Sequence, residues 1–163
     1  MRFIIIFIFF FSKALAGEIP NLKNIVINEK LKKYEELTFL DADNNQINLK
    51  DYKGKLVLLN FWATWCAPCK EEMPSLNNLQ KERDLYNLKI FPINIGQDNL
   101  EKSLNFFENL NIKNLKIYFD SPTTLAKKLQ LRGIPTSILI NKDGYEFARI
   151  IGSIDFENEN FIK

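Results

Sequence analysis

Leu56-Val57-Leu58-Leu59-Asn60-Phe61-Trp62-Ala63-Thr64-Trp65-Cys66-Ala67-Pro68-Cys69-Lys70-Glu71-Glu72-Met73-Pro74 is the stretch on which the reading of this chain turns. Its two cysteines are the only two in the protein and stand at Cys-x-x-Cys spacing. Leu56 to Leu59 is an apolar run of the buried-strand kind, and Met73, Leu76 and Leu79 follow at helical spacing. A strand therefore delivers the cysteine pair onto the first turn of a helix. There a thiolate is stabilised, because orphan N–H groups and the positive end of the helix dipole point at it. The second cysteine lies one turn on, within reach to close a disulfide once the first has reacted. That is the sequence form of a thiol–disulfide redox site. Pro74, inside the helix, removes a backbone donor and predicts a kink.

Composition narrows the alternatives. A chain of 163 residues makes one well-packed domain plus a tail. Its 46% hydrophobic and 26% charged residues are globular proportions. The net charge of +2 includes Arg2 and Lys13; without them 20 basic residues face 20 acidic ones. No basic patch interleaved with aromatics suggests nucleic acid. Histidine is absent, which excludes Cys–His catalysis, a Ser-His-Asp triad and histidine metal ligation. Lys70 after Cys69 rules out the haem-attachment pattern, and two cysteines cannot form a four-thiolate zinc site. No cofactor or metal is implied.

The N-terminus reads as an export leader. Arg2 precedes nine apolar residues, Phe3 to Phe11, and Ala14-Leu15-Ala16 is a small-x-small cleavage site. Nine helical residues span ~14 Å against ~30 Å of bilayer hydrocarbon. Cleavage after Ala16 and a periplasmic mature protein are expected. The alternative is an uncleaved leader anchoring the protein to the outer face of the inner membrane. Residues 1–16 are thus assigned to a signal peptide, 17–33 to a linker with at most one extended segment at 24–27, and 34–163 to one domain.

Within that domain, Glu36–Asp41 and Gln46–Leu49 flank Asp43-Asn44-Asn45 as a β-hairpin. Leu56–Trp62 is the central strand and Leu88–Ile95 a second buried one. Asp98–Leu110 is an amphipathic helix with Asp98 as N-cap and Leu100, Leu104, Phe107 and Leu110 on its apolar face. Leu115–Phe119 is a short strand, and Ser121-Pro122 opens a helix through Leu131. Ser137–Ile140 and Tyr145–Ile151 pair across the turn Asn141-Lys142-Asp143-Gly144, and residues 155–163 form a short last helix.

Leu59 through Pro74, with Gly133-Ile134-Pro135-Thr136 and the inserted strand–helix at Leu88–Leu110, resembles the thioredoxin superfamily. The resemblance is to its exported TlpA/ResA-like branch and covers roughly residues 34–154. It implies an α/β thioredoxin-like fold: a central mixed β-sheet flanked by helices, with an N-terminal β-hairpin and the inserted strand–helix. It also implies an exposed Cys pair that reduces disulfides of exported proteins, often apocytochromes c or copper-site proteins. A membrane thiol–disulfide carrier would resupply the electrons, and a monomer is expected.

Cys66 is the expected nucleophile and Cys69 the resolving thiol that breaks the mixed disulfide. A purely structural bridge is disfavoured, because so small a loop yields little entropic stabilisation. Ala67 and Pro68 shape the site, Pro68 by fixing the backbone and removing an N–H. The resemblance implies that Pro135 is cis and faces the Cys pair, with the Ile134 backbone pairing to substrate. Trp65 is expected to shield the sulfurs or touch substrate, and Trp62 to be core. Lys70 either lowers the thiolate pKa or is simply solvated. Glu71 and Glu72 are read as first-turn acids without a catalytic role. Thioredoxins proper carry an Asp where Asn60 stands. Some relatives use an acid after the glycine where Gln97 follows Gly96, which leaves Asp98 or water to exchange the Cys69 proton. A disulfide-donating oxidase and a non-enzymatic copper-carrying module remain the alternatives. A peroxide-reducing enzyme would need a Pro-x-x-x-Thr-x-x-Cys loop that the residues before Cys66 do not supply.

Overall fold

A computed structural model describes residues 24–82, 85, 87–120 and 123–162, so the leader and the segment to residue 23 lie outside it. Eight strands form one sheet: β1 (Ile25–Lys33), β2 (Thr38–Asp41), β3 (Gln46–Asn48), β4 (Leu56–Trp62), β5 (Leu88–Asn94), β6 (Tyr118–Phe119), β7 (Thr136–Ile140) and β8 (Tyr145–Ile151). Among the described residues four α-helices accompany them, α1 (Ala67–Leu79), α2 (Leu100–Asn109), α3 (Thr124–Lys128) and α4 (Glu159–Ile162), with a 3-10 helix at Leu49–Tyr52. The sheet order is β1-β8-β7-β4-β5-β6-β2-β3. The β4–β5 and β5–β6 pairs are parallel and the others antiparallel. The expected mixed sheet, its hairpin β2–β3 and the inserted β5–α2 all form.

Alternation along β4 sorts the core into two layers. Leu58 and Trp62 pack with Met73, Leu76 and Leu79 of α1 and with Phe106 and Phe107 of α2. Val57, Leu59 and Phe61 face the other way, onto Leu125 and Leu129 and the hairpin's Phe39. Asn60 falls in the α1-facing series and is fully buried, a polar side chain set inside an apolar layer.

Several boundaries differ from expectation for identifiable reasons. The stretch 25–33, assigned to the linker, is strand β1, paired along β8 from Ile25↔Ile150 to Lys33↔Tyr145. Its irregular polarity arises because register breaks between Ile27↔Ala148 and Lys32↔Glu146. The strand expected over Leu115–Phe119 contracts to Tyr118–Phe119, paired with Ile93 and Asn94. Ile95 N donates to Trp62 O and Asp120 N donates to Asn94 O. Alternation from those bonds turns Pro92 toward β6, where proline has no N–H to offer; pairing begins only beyond it. In α2 the N-cap is Asn99, whose Oδ1 accepts from Lys102 N at 2.9 Å. The buried face carries Ser103, Phe106 and Phe107, while Leu100 and Leu104 are exposed. The aromatic pair wins that face by stacking on Trp62, with centroids 4.7 and 5.4 Å from it. Helix α3 is shorter than expected, the amides of its second and third residues, Leu125 N and Ala126 N, donating to Asp120 at 2.8 and 2.7 Å. Ser121 and Pro122 lie outside the described residues. Among those described, no helix is long and apolar enough to cross a membrane.

Candidate active site

Strand β4 ends at Trp62, and residues 63–65 carry the chain to Cys66, the N-cap of α1. Cys66 is extended (φ −84°, ψ 103°), and its Sγ accepts the Cys69 amide N–H at 3.3 Å. The sulfur therefore takes the place of a capping oxygen at a helix N-terminus, the setting that favours a thiolate. Cys66 and Cys69 are joined in a disulfide with Cα atoms 5.3 Å apart. Cys66 keeps only 5% of its surface in solvent and Cys69 none, so the pair is less exposed than the family resemblance implies. Ala67 and Pro68 are exposed beside it, and Trp65 stands 69% exposed. Trp62 is fully buried.

The loop before Cys66 is held from below. Asp98 Oδ2 accepts from Thr64 N at 3.0 Å and from Asn94 Nδ2 at 3.1 Å. Burial alone would raise the Asp98 pKa, but these donors hold it below the ordinary carboxylate value. Asp98 is thus engaged with the loop backbone and does not cap α2. Gly96 makes the close packing possible. A Cβ there would lie 2.5 Å from Ala63 Cβ and 3.0 Å from Trp65 Nε1.

The Ile134–Pro135 peptide is cis. Thr136, next in the chain, pairs with Phe61 near the C-terminal end of β4, which puts this loop at the same end of the sheet as Cys66. Ile134 packs against the cluster containing Cys66 and Cys69. Pro135 O accepts from Gly152 N at 2.9 Å, and Thr136 Oγ1 donates to Gly133 O at 2.8 Å.

The sequence reading missed one group outright. With α1 starting at Ala67, Glu71 and Glu72 lie in its second turn, and the first turn holds no acid. Glu72 points inward and is only 3% exposed. Its Oε1 accepts from Asn60 Nδ2 at 2.7 Å and its Oε2 from Ile154 N at 3.3 Å. Asn60 Nδ2 also donates to Ser137 Oγ at 3.0 Å. Burial pushes the Glu72 carboxyl up to about 7, against the lowering effect of those two donors. Glu72 follows Cys69 by three residues, one helical turn on the same face. That spacing was the available signal. Among the described residues, no group of three or more His, Cys, Asp or Glu is arranged to hold a metal ion.

Comparison with known proteins agrees with this geometry. Residues 27–145 match the model of the AhpC/TSA family. The thiol-disulfide oxidoreductase ResA of Bacillus thuringiensis subsp. konkukian is 34% identical over 76% of this chain and 70% of its own length. A ResA of Bacillus cereus is 36% identical over 69% of this chain, which spans 64% of the relative's length. Among solved structures, the exposed lipoprotein thioredoxin Etrx1 of Streptococcus pneumoniae superposes with a TM-score of 0.64 at 26% identity, over 75% of this chain and 93% of that one. StoA from Bacillus subtilis shares the fold, with a TM-score of 0.66 at 24% identity over 78% and 96%. The chain belongs to the AhpC/TSA family and, within it, to the ResA-like thiol–disulfide oxidoreductases of thioredoxin-like fold.

Proposed function

We propose that this protein is an exported reductase that delivers electrons to disulfides of other exported proteins, apocytochromes c or copper-site proteins, through a Cys66–Cys69 dithiol/disulfide cycle. The observation that carries the reading is the asymmetric pair at the start of α1. Cys66 alone of the two retains surface, and its sulfur accepts a helix N-terminal amide. In the reduced protein the Cys66 thiolate attacks one sulfur of the substrate disulfide. A new S–S bond forms, and the substrate's other sulfur leaves as a thiolate. The Cys69 thiolate then attacks Cys66 Sγ, releasing the second substrate thiolate and closing the bridge. Two electrons pass to substrate, and each released thiolate takes up a proton.

Cys69 must lose its proton inside the protein, where water is excluded. Glu72, near neutral pKa and one turn beyond it, is suited to exchange that proton. Trp65, Ala67 and Pro68 form the rim, and the Ile134 backbone beside cis Pro135 presents an edge for the substrate strand. A membrane thiol–disulfide carrier restores the dithiol, and the protein works as a monomer in the periplasm after cleavage at Ala16.

The reduction potential of residues 17–163 tests the direction of flow, by equilibration in redox buffers and trapping of free thiols. A value near about −270 mV or below supports the reductase. A value near about −120 mV overturns it in favour of a disulfide donor.

A further inference from the structure

Charge along this sheet is unevenly placed. A cavity of about 850 Å³ between β2, α2 and β6 mixes the two signs, with Asp41, Asp43 and Glu108 against Lys89, Lys113 and Lys116. A groove of about 660 Å³ toward the β1 end of the sheet does not. It runs between β1 and the segment from α3 to β7, and its charged lining is Lys32, Lys33, Lys128, Arg132 and Arg149, with no carboxylate. The carboxylate beneath it, Glu146, is fully buried and bonded to Arg149 Nε at 2.6 Å, with Lys32 Nζ at 3.6 Å. Lys128 Nζ donates to the Glu36 carbonyl oxygen. Among the described residues, neither Lys33 nor Arg132 is paired with a carboxylate. Five cations against one buried anion leave the groove strongly positive, in a chain whose total charge is close to neutral. Val26 and Ile151, each about half exposed, add aliphatic surface.

Its position ties this groove to the redox centre. Arg132 and Thr136, which line it, bracket the Gly133-Ile134-Pro135 turn. Ile134 in that turn packs on the cluster of Cys66 and Cys69. A substrate chain paired along the Ile134 backbone would meet a turn whose two flanking residues, Arg132 and Thr136, line the groove.

Resting on the reading of the site as an exchange centre for protein disulfides, we propose that this groove docks an acidic, partly apolar segment flanking the substrate cysteine. Uncompensated cations at the rim of a contact raise encounter rate and select partners by charge, an effect that salt removes. The groove therefore discriminates among substrates that the disulfide chemistry treats alike.

The test uses two peptides identical except for three Asp or three Asn beside one cysteine. Binding is measured with that cysteine replaced by Ser, by fluorescence anisotropy on the oxidised protein, so that it does not depend on turnover. The acidic peptide is expected to bind at least about fivefold more tightly at low ionic strength and within about twofold at 1 M salt, where the Debye length is about 3 Å. Lys33→Glu with Arg132→Glu should abolish the preference, and Lys33→Gln with Arg132→Gln should reduce it. Lys142→Glu, a charge change in the β7–β8 turn, should preserve it. Equal binding of the two peptides, or a preference that survives in Lys33→Glu/Arg132→Glu, overturns the proposal. So does equal peptide binding with groove-dependent sedimentation on phosphatidylglycerol vesicles, which would assign the groove to a membrane surface. Reduction of a small aromatic disulfide is followed in parallel. Its loss in the wild type would count against the oxidoreductase reading and leave the binding result to decide the groove.

Discussion

Cys66 and Cys69 differ in what each can reach, and the difference assigns them opposite fates on mutation. With Cys69→Ser the buried resolving sulfur is gone, and a mixed disulfide with substrate should accumulate as a band lost on adding dithiothreitol. With Cys66→Ser no adduct should form, because Cys69 has no surface. Glu72 makes a second prediction at this scale. Its folded pKa of about 7 lies above the ordinary carboxylate value of 4.5. The folded protein therefore holds a proton that the unfolded chain has released, and stability falls as pH rises through this window. The buried charge costs on the order of 3 kcal/mol above pH 7. Urea unfolding at pH 5 and pH 8 should show Glu72→Gln gaining on the wild type by that order at the higher pH. A constant difference between the two pH values would sink the assignment.

At the scale of elements, the loop of residues 63–65 and helix α2 share a junction that two mutations separate. Asp98→Ala removes the acceptor of Thr64 N and Asn94 Nδ2 and should cost about 1.5–3 kcal/mol, as for bonds to a charged group. It should also make Trp65 more accessible to acrylamide quenching. Asn99→Ala removes only the cap of α2 and should cost about 1 kcal/mol without altering Trp65. Equal quenching in both variants would show that Asp98 does not hold the loop. Strand β1, at the other end of the sheet, depends on Glu146. That carboxylate accepts from Arg149 Nε at 2.6 Å, Tyr34 Oη at 2.5 Å and Asn28 Nδ2 at 3.0 Å. The outer edge of β1 carries Lys30, Lys32 and Lys33 and a register break, devices that discourage further strand addition.

For the whole molecule, Glu72 and Glu146 pull the pH dependence of stability from opposite sides. Burial alone would raise the Glu146 pKa, but its bonds to Arg149, Tyr34 and Asn28 hold it down at about 2. Its contribution is complete above the unfolded value of 4.5 and is lost as pH falls toward 2. The Glu72 penalty is absent below 4.5 and complete above about 7. The melting temperature of the oxidised protein should therefore peak in weakly acidic buffer and decline on both sides. Glu72→Gln should flatten the decline between pH 5 and pH 8, and Glu146→Gln the decline below pH 4. A wild-type profile rising steadily to pH 8 would contradict both carboxylate environments.

The sequence by itself determined the elements that need only local chemistry. β4 was readable because Leu56 to Trp62 is continuously apolar, β7–β8 because Asn141-Lys142-Asp143-Gly144 makes a hairpin, and the redox pair because two lone cysteines stand before a helical pattern. The cis bond at Pro135 was read from the family resemblance, since the Ile134-Pro135 dipeptide alone does not specify it. Tertiary structure alone decided what residues distant in sequence do to one another. Glu72 read as a first-turn helix acid without a catalytic role until Asn60 and Ile154, 12 residues before and 82 after, enclosed it. Asp98 looked like a helix cap until Thr64, 34 residues earlier, claimed its oxygen. The irregular polarity of β1 concealed a strand whose partner lies more than 100 residues on. Periodicity reports which face of an element is apolar; the pKa and partners of a buried polar group depend on what closes over it, and only the folded chain supplies that.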